Sequence, residues 1–172
     1  ITLDGGDELI AVGLTKGDDE AFLGTKNGIA IRFKEEDVRP MGRSARGVLG
    51  ISLEGDDEVV GMEVVSPGTA ILTVTEKGYG KRTALDQYRP QGRGGKGIIN
   101  VKVTEKTGSV VGVMQVSPED GFMMITQEGK VARLRVGEVR LLGRATQGVR
   151  LQGLDPRDRV AAITRVVAEE EE

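Results

Sequence analysis

The chain has 172 residues, enough for one domain, and 38% hydrophobic content is enough to build a core. Aromatics are 3% with no Trp, so Val, Ile, Leu and Ala must fill that core, and the absence of Cys and His excludes disulfides, thiolate metal sites and the commonest general base. The net charge of −3 conceals a body at +1 once the four terminal glutamates, Glu169 to Glu172, are set aside.

In chain order, Gly-rich turns separate short Val/Ile-rich runs throughout, the pattern of an all-β protein. Opening strands are predicted at 8–14, 58–65 and 109–116, and second strands at 21–25, 70–75 and 122–126. Hairpin turns ending at Gly28, Gly78 and Gly129 lead to third strands at 29–34, 79–83 and 130–135. A long loop then precedes a fourth strand at 48–53, 98–103 and 149–152, which is expected to close each four-stranded unit. The segment Asp158 to Val167 repeats the opening strand once more, with Val160 aligned to Leu9, Val59 and Val110. That extra strand predicts blades that share strands, with repeats at about 7–56, 57–107 and 108–167 and an acidic tail at 169–172. Three blades are fewer than the four to eight that close a propeller ring. The chain is then either half of a larger ring or an open three-blade array, and the Ile1 start favours the former.

The long loop is a basic cassette. It reads Asp37-Val-Arg-Pro-Met-Gly-Arg-Ser-Ala-Arg-Gly47, Gln87-Tyr-Arg-Pro-Gln-Gly-Arg-Gly-Gly-Lys-Gly97 and Glu138-Val-Arg-Leu-Leu-Gly-Arg-Ala-Thr-Gln-Gly148. Equivalent glycines recur after 50 and then 51 residues, and Gly42, Gly47, Gly92, Gly97, Gly143 and Gly148 are expected where the loop turns sharply. Each copy has a Gly-Arg pair, Arg43, Arg93 and Arg144, and the first two add a second cation, Arg46 and Lys96. Repetition at equivalent positions sets these cations along one edge, an arrangement suited to a long polyanion. The strand cations Arg32, Lys34, Lys81, Arg82, Arg133 and Arg135 are equally compatible with ordinary strand alternation. Tyr79 and Tyr88 are expected to pack between blades. The acidic turns at 4–8, 18–20 and 56–58 lie opposite in repeat phase to the cassettes and read as solvated turns.

The middle cassette, Gln91-Gly-Arg-Gly-Gly-Lys-Gly97, resembles the Gln-Arg-Arg-Gly-Gly-Lys-Gly box of the DNA gyrase A C-terminal domain family. Flanking segments are similar too: Gly78-Tyr-Gly-Lys-Arg-Thr83, Ile98-Ile-Asn-Val-Lys-Val-Thr-Glu105, Val111-Gly-Val-Met-Gln-Val116 and Gly143-Arg-Ala-Thr-Gln-Gly148. The resemblance implies a six-bladed β-pinwheel, a propeller-like disc with DNA wrapped on its basic rim, of which this chain is the last three blades. Gly92 stands where the family has Arg, so Gln91, Gly92, Arg93, Gly94, Gly95, Lys96 and Gly97 form a degenerate box.

On that basis Arg43, Arg46, Arg93, Lys96, Arg144, Lys81, Arg82, Arg133 and Arg135 are the expected DNA-binding residues. The implied function is non-catalytic wrapping of duplex DNA in a type IIA topoisomerase, an ATP-dependent complex that introduces negative supercoils. The implied partners are double-stranded DNA and, in an A2B2 enzyme, the gyrase A core and gyrase B. No metal, cofactor or catalytic residue is expected: there is no Walker-type phosphate loop and no Gly-x-Ser-x-Gly elbow. No apolar run approaches a membrane span, and a cytoplasmic, nucleoid-associated protein is expected. The alternatives are the equivalent C-terminal domain of topoisomerase IV and a propeller-type protein-interaction scaffold.

Overall fold

The computed structural model describes residues 1–166, so the predicted acidic tail at 169–172 lies outside the described residues. Eleven strands, in order β1 Glu20–Thr25, β2 Ile29–Lys34, β3 Val59–Val65, β4 Ala70–Thr75, β5 Tyr79–Ala84, β6 Ile98–Ile99, β7 Val110–Val116, β8 Gly121–Thr126, β9 Val131–Arg135, β10 Val149–Arg150 and β11 Val160–Val166, form three antiparallel sheets. Single 3₁₀ turns at Glu35–Asp37, Leu85–Gln87 and Val136–Glu138 open the three cassettes.

Each repeat contributes its second and third strands as a hairpin, β1–β2, β4–β5 and β8–β9. The hairpin glycines Gly28, Gly78 and Gly129 all have positive φ (86°, 80° and 83°), the left-handed conformation such a short connection requires. Sheet order is β3-β1-β2-β6, then β10-β5-β4-β7, then β11-β8-β9. The opening strand of one repeat therefore pairs with the second strand of the repeat before it, as in Leu23↔Met62 and Leu72↔Met114. β11 joins β8 in the same way, Ile163↔Met124, so the predicted strand sharing is real.

The sharing goes further than the sequence pattern implies. The closing strands also cross: β6 pairs with β2 and β10 with β5, each sealing the sheet of the previous repeat. The expectation that a fourth strand closes its own unit is therefore corrected. A sheet here is two strands from one repeat, flanked by two from the next. Two predicted strands are consequently not strands. Residues 8–14 and 48–53 form no ladder, and no hairpin is described among the residues ahead of β1. The third sheet has three strands among the described residues.

The core lies between consecutive sheets. Phe22, Ala30, Val65, Ile71, Leu85, Tyr88, Val101, Val110 and Val113 fill the first interface. Leu72, Val74, Met114, Val116, Phe122, Met124, Val136, Val139 and Val160 fill the second. Phe22 and Tyr88 meet edge to face at 5.0 Å, and the buried Tyr88 hydroxyl donates to Asn100 Oδ1 at 2.6 Å. Tyr88 thus packs between blades, as expected, and burial pushes its phenol up to about 12. The opening strands approach closely because a glycine faces a branched residue. A Cβ on Gly61 would lie 2.9 Å from Val113, and one on Gly112 would lie 2.9 Å from Ile163, one repeat further on.

Candidate nucleic-acid interface

After its 3₁₀ turn, each cassette docks on the closing segment of the repeat before it, with one set of backbone bonds. In the second cassette Gly94 N donates to Gly50 O, and Ser52 N donates to Gly95 O. In the third, Ala145 N donates to Asn100 O, and Lys102 N donates to Thr146 O. Thr2 N donates to Ala45 O, so the first residues of the chain take the closing-segment place against the first cassette. Equivalent residues adopt equivalent shapes: Gly94 and Ala145 both have positive φ (78° and 54°), as do Gly47, Gly97 and Gly148 (92°, 75° and 78°). Gly42, Gly92 and Gly143 do not share it, but a tight turn follows each, with Ala45 N donating to Gly42 O at 3.0 Å in the first.

The Gly-Arg arginines belong to this seam. Arg93 donates from Nε to Asp37 O (3.0 Å) and from Nη1 to Leu49 O (2.6 Å), and Arg144 donates from Nη1 to Ile99 O at 2.9 Å. Leu49 and Ile99 are equivalent, so the two guanidiniums perform one repeated task of holding the previous closing segment. Arg43 is exposed, with no side-chain partner among the described residues. The degenerate box Gln91 to Gly97 is seated by the same contacts, with Gln91 N donating to Arg32 O at 2.8 Å.

The second cations are paired. Arg46 lies 2.9 Å from Asp4 and Lys96 lies 2.6 Å from Glu54, in each case 42 residues back. Glu54 holds the Lys96 ammonium above its ordinary range, and Lys96 lowers the Glu54 carboxyl. Asp4 belongs to the first acidic turn and Glu54 lies just before the turn at 56–58, so acidic residues lie against the first two cassettes in space, and the expected separation of charge is corrected there. Both pairs are solvent-exposed and contribute little to stability, because water screens them and holding two long side chains together costs entropy.

The strand cations divide. Lys81 is buried, and Nζ donates to Asn100 O and Gly143 O, both at 2.7 Å. Burial first, and the Arg144 charge second, lower its pKa from 10.5 to about 8. Its ammonium is held inside the seam, away from solvent. Arg82 donates to Val139 O (2.8 Å) and Gly137 O (3.4 Å). Arg32, ion-paired with Glu20, donates to Leu85 O (3.2 Å) and Tyr88 O (3.1 Å). Arg32 and Arg82 are equivalent, and each grips the next repeat's cassette near its start. Arg133, the third member of that series, is exposed on β9, and Arg135 lies 3.9 Å from Glu138.

One set of cations is missing from the sequence-based expectation. The third residue of every cassette is Arg: Arg39, Arg89 and Arg140. All three are exposed, and none has a side-chain hydrogen bond or ion pair among the described residues. Their recurrence is plain in the three aligned cassettes, but an equally regular Gly-Arg pair stands beside it.

The sequence profile described as DNA gyrase C-terminal domain, beta-propeller, matches residues 19–66, 69–117 and 122–166. The chain belongs to that family. It is 62% identical over 172 residues, its full length, to the DNA gyrase A protein of Halalkalibacterium halodurans, covering 21% of that protein. To the DNA gyrase A protein of Escherichia coli K12 it is 46% identical over 166 residues, 96% of this chain and 19% of the relative. The chain thus spans about a fifth of the length of these curated relatives. A solved DNA gyrase A C-terminal domain superposes with TM-score 0.90 at 28% identity, over 97% of this chain and 57% of the other. The C-terminal domain of a DNA topoisomerase IV shares the fold (TM-score 0.89, 24% identity, 95% and 52% covered). The all-β, propeller-like architecture and the gyrase resemblance therefore hold. No described helix is long and apolar enough to cross a membrane.

Proposed function

We propose that this chain is a non-catalytic module that binds and bends duplex DNA within a type IIA topoisomerase, as part of the gyrase A protein. The observation that carries the reading is the cassette, seated by the same pair of backbone bonds in its second and third copies and by one of that pair in the first, in a family described as a DNA gyrase domain. Cations repeated at one step along a curved array neutralise successive phosphates and release counterions, giving affinity with little sequence preference. Bending 20–30 bp by 40–90° costs on the order of 1–6 kcal/mol, so several such contacts are needed to offset it.

On this reading residues 1–168 are half of a wrapping disc, with repeats at about 7–56, 57–107 and 108–167. Arg43, Arg133 and Arg135 meet phosphate directly, and Arg46 and Lys96 do so by exchanging Asp4 and Glu54 for it. Arg93, Arg144, Lys81 and Arg82 act from within the seam by shaping the cassettes. ATP hydrolysis and strand cleavage belong to the gyrase A core and to gyrase B in an A2B2 enzyme, in the cytoplasm at the nucleoid.

The test is a duplex titration at several salt concentrations. The expected log–log slope is about −0.9 per phosphate neutralised, and unrelated sequences should bind alike. A flat salt response would favour a protein-interaction scaffold instead.

A further inference from the structure

We infer that Arg39, Arg89 and Arg140, one per repeat, are the principal phosphate-contacting residues of this surface, ahead of the Gly-Arg arginines that follow them in each cassette. The inference rests on the DNA-binding reading and deepens it. Most other cassette charges are already engaged. Arg93 and Arg144 are bound to backbone carbonyls, and Arg46 and Lys96 are bound to carboxylates. Phosphate contact by any of these four competes with or must be shared with an existing partner. Arg39, Arg89 and Arg140 have no partner to displace among the described residues, and all are exposed.

The backbones of Arg89 and Arg140 are also held in place, which separates these two from ordinary surface arginines. The residue before Arg89 is Tyr88, whose carbonyl accepts from the Arg32 guanidinium and whose ring is buried against Phe22. The residue before Arg140 is Val139, whose carbonyl accepts from the Arg82 guanidinium and whose side chain is buried in the second interface. Two residues beyond Arg89 and Arg140, the backbone is fastened again: Gln91 N donates to Arg32 O and Leu142 N donates to Arg82 O, both at 2.8 Å. Arg82 N also donates to Arg140 O at 3.0 Å. Arg32 thus brackets Arg89 from both sides, and Arg82 brackets Arg140, each through its guanidinium and its own peptide group.

Pro40 and Pro90 follow the first two and hold Arg39 and Arg89 in extended backbone. A guanidinium on a fixed stem loses little backbone freedom on contact, and its planar fork matches two phosphate oxygens. Arg32 and Arg82 are positioning residues in this arrangement. The chemistry recognised is the phosphodiester, with no base identity involved.

The triple variant R39A/R89A/R140A tests this in the full chain, with affinity for two unrelated duplexes measured across salt and the folded state checked by denaturation. The expected result is a log–log salt slope shallower by about 2.7, equal for both sequences, with an unchanged unfolding midpoint. The Lys triple at the same positions should recover most of the slope, since charge rather than packing carries it. If the parent chain binds with a steep slope and the Ala triple keeps that slope, the inference is overturned while the DNA-binding reading stands. If the parent chain shows no salt-dependent binding, both fall together.

Discussion

The middle sheet and the opening of the first repeat are built from equivalent residues and end up in opposite surroundings. In the middle sheet, β4 and β5 receive β7 on one side and β10 on the other, both from the next repeat, and Val113 of β7 is 5% exposed. Its counterpart in the first repeat, Val12, is 88% exposed, and Leu14 beside it is 96% exposed. The segment around Val12 rests near β3, where a Cβ on Gly13 would lie 2.8 Å from Val64, yet it joins no ladder. The apolar pattern gives a segment the capacity to be a strand. In this fold a hairpin one repeat earlier is what makes it one.

The largest expected contrasts are in the middle seam. Among the equivalent residues Ile31, Lys81 and Ala132, only the middle one places an ammonium in the interior. Its pKa is lowered on folding from 10.5 to about 8, so in that window the unfolded chain holds more protons than the folded one. Stability should therefore rise as pH increases from about 8 toward 10.5, by on the order of a few kcal/mol. Denaturation midpoints of the parent chain and Lys81→Met across this range check it. The rise should appear in the difference between the two, because other lysines and tyrosines titrate in both. A parallel pair of curves would mean that Lys81 is solvated.

The three closing glycines make a second contrast. A Cβ on Gly97 would lie 2.5 Å from Ala30 O, and one on Gly148 would lie 2.6 Å from Gly80 O. On Gly47 the nearest atom is Ile1 Cδ1 at 3.7 Å. All three have positive φ, so Ala at Gly47 should cost only the backbone strain, about 1–2 kcal/mol. At Gly97 and Gly148 the displacement of a paired strand adds to it, for a total of about 2–5 kcal/mol. Equal midpoints for the three Ala variants would show that β6 and β10 yield easily.

Much of this architecture can be read from residue order. The hairpins, the 50- and 51-residue period and the extra strand at Val160 follow from alternation and Gly placement, which are local properties. Which sheet a strand joins is not local. Ile98 looks like the end of its own repeat, but its partner is Ala30 in the repeat before. Separation along the chain is also a poor guide to distance, since Asp4 and Arg46 lie 42 residues apart and touch. Lys81 eludes the sequence for a related reason. Strand alternation assigns a polar residue to solvent, but here the polar face of β5 meets the carbonyls of Asn100 and Gly143. Arg89 and Arg140 lie in plain view, and only the grip of Arg32 and Arg82 distinguishes them from other surface charges.

Truncating the equivalent valines gives the next contrast. Val113→Ala removes two methyl groups from the first sheet interface, each worth about 0.8 kcal/mol of burial, with a cavity left behind. A loss of about 2 kcal/mol is expected from urea denaturation. Val12→Ala should change the midpoint by no more than about 0.5 kcal/mol. Losses of similar size would show that residues 8–14 are buried in solution.

The smallest effect is expected at Leu14, and it tests the comparison most directly. Leu14→Lys places a charge where the chain already exposes 96% of the residue, so no packed contact is lost and no charge is desolvated. The unfolding midpoint should move by no more than about 0.5 kcal/mol. Amide hydrogen exchange gives the complementary reading, because protection follows hydrogen bonding rather than side-chain character. Amides across 9–14 should exchange rapidly in both the parent chain and the variant, while those of β7 that donate to β4 remain protected. A shift above about 1 kcal/mol, beyond the range of surface substitutions, or slow exchange across 9–14, would mean that this segment finds a ladder partner in solution. The contrast would then belong to the assembly state of the chain. Fast exchange with an unmoved midpoint would leave pairing with a neighbouring hairpin as the whole difference between Val12 and Val113.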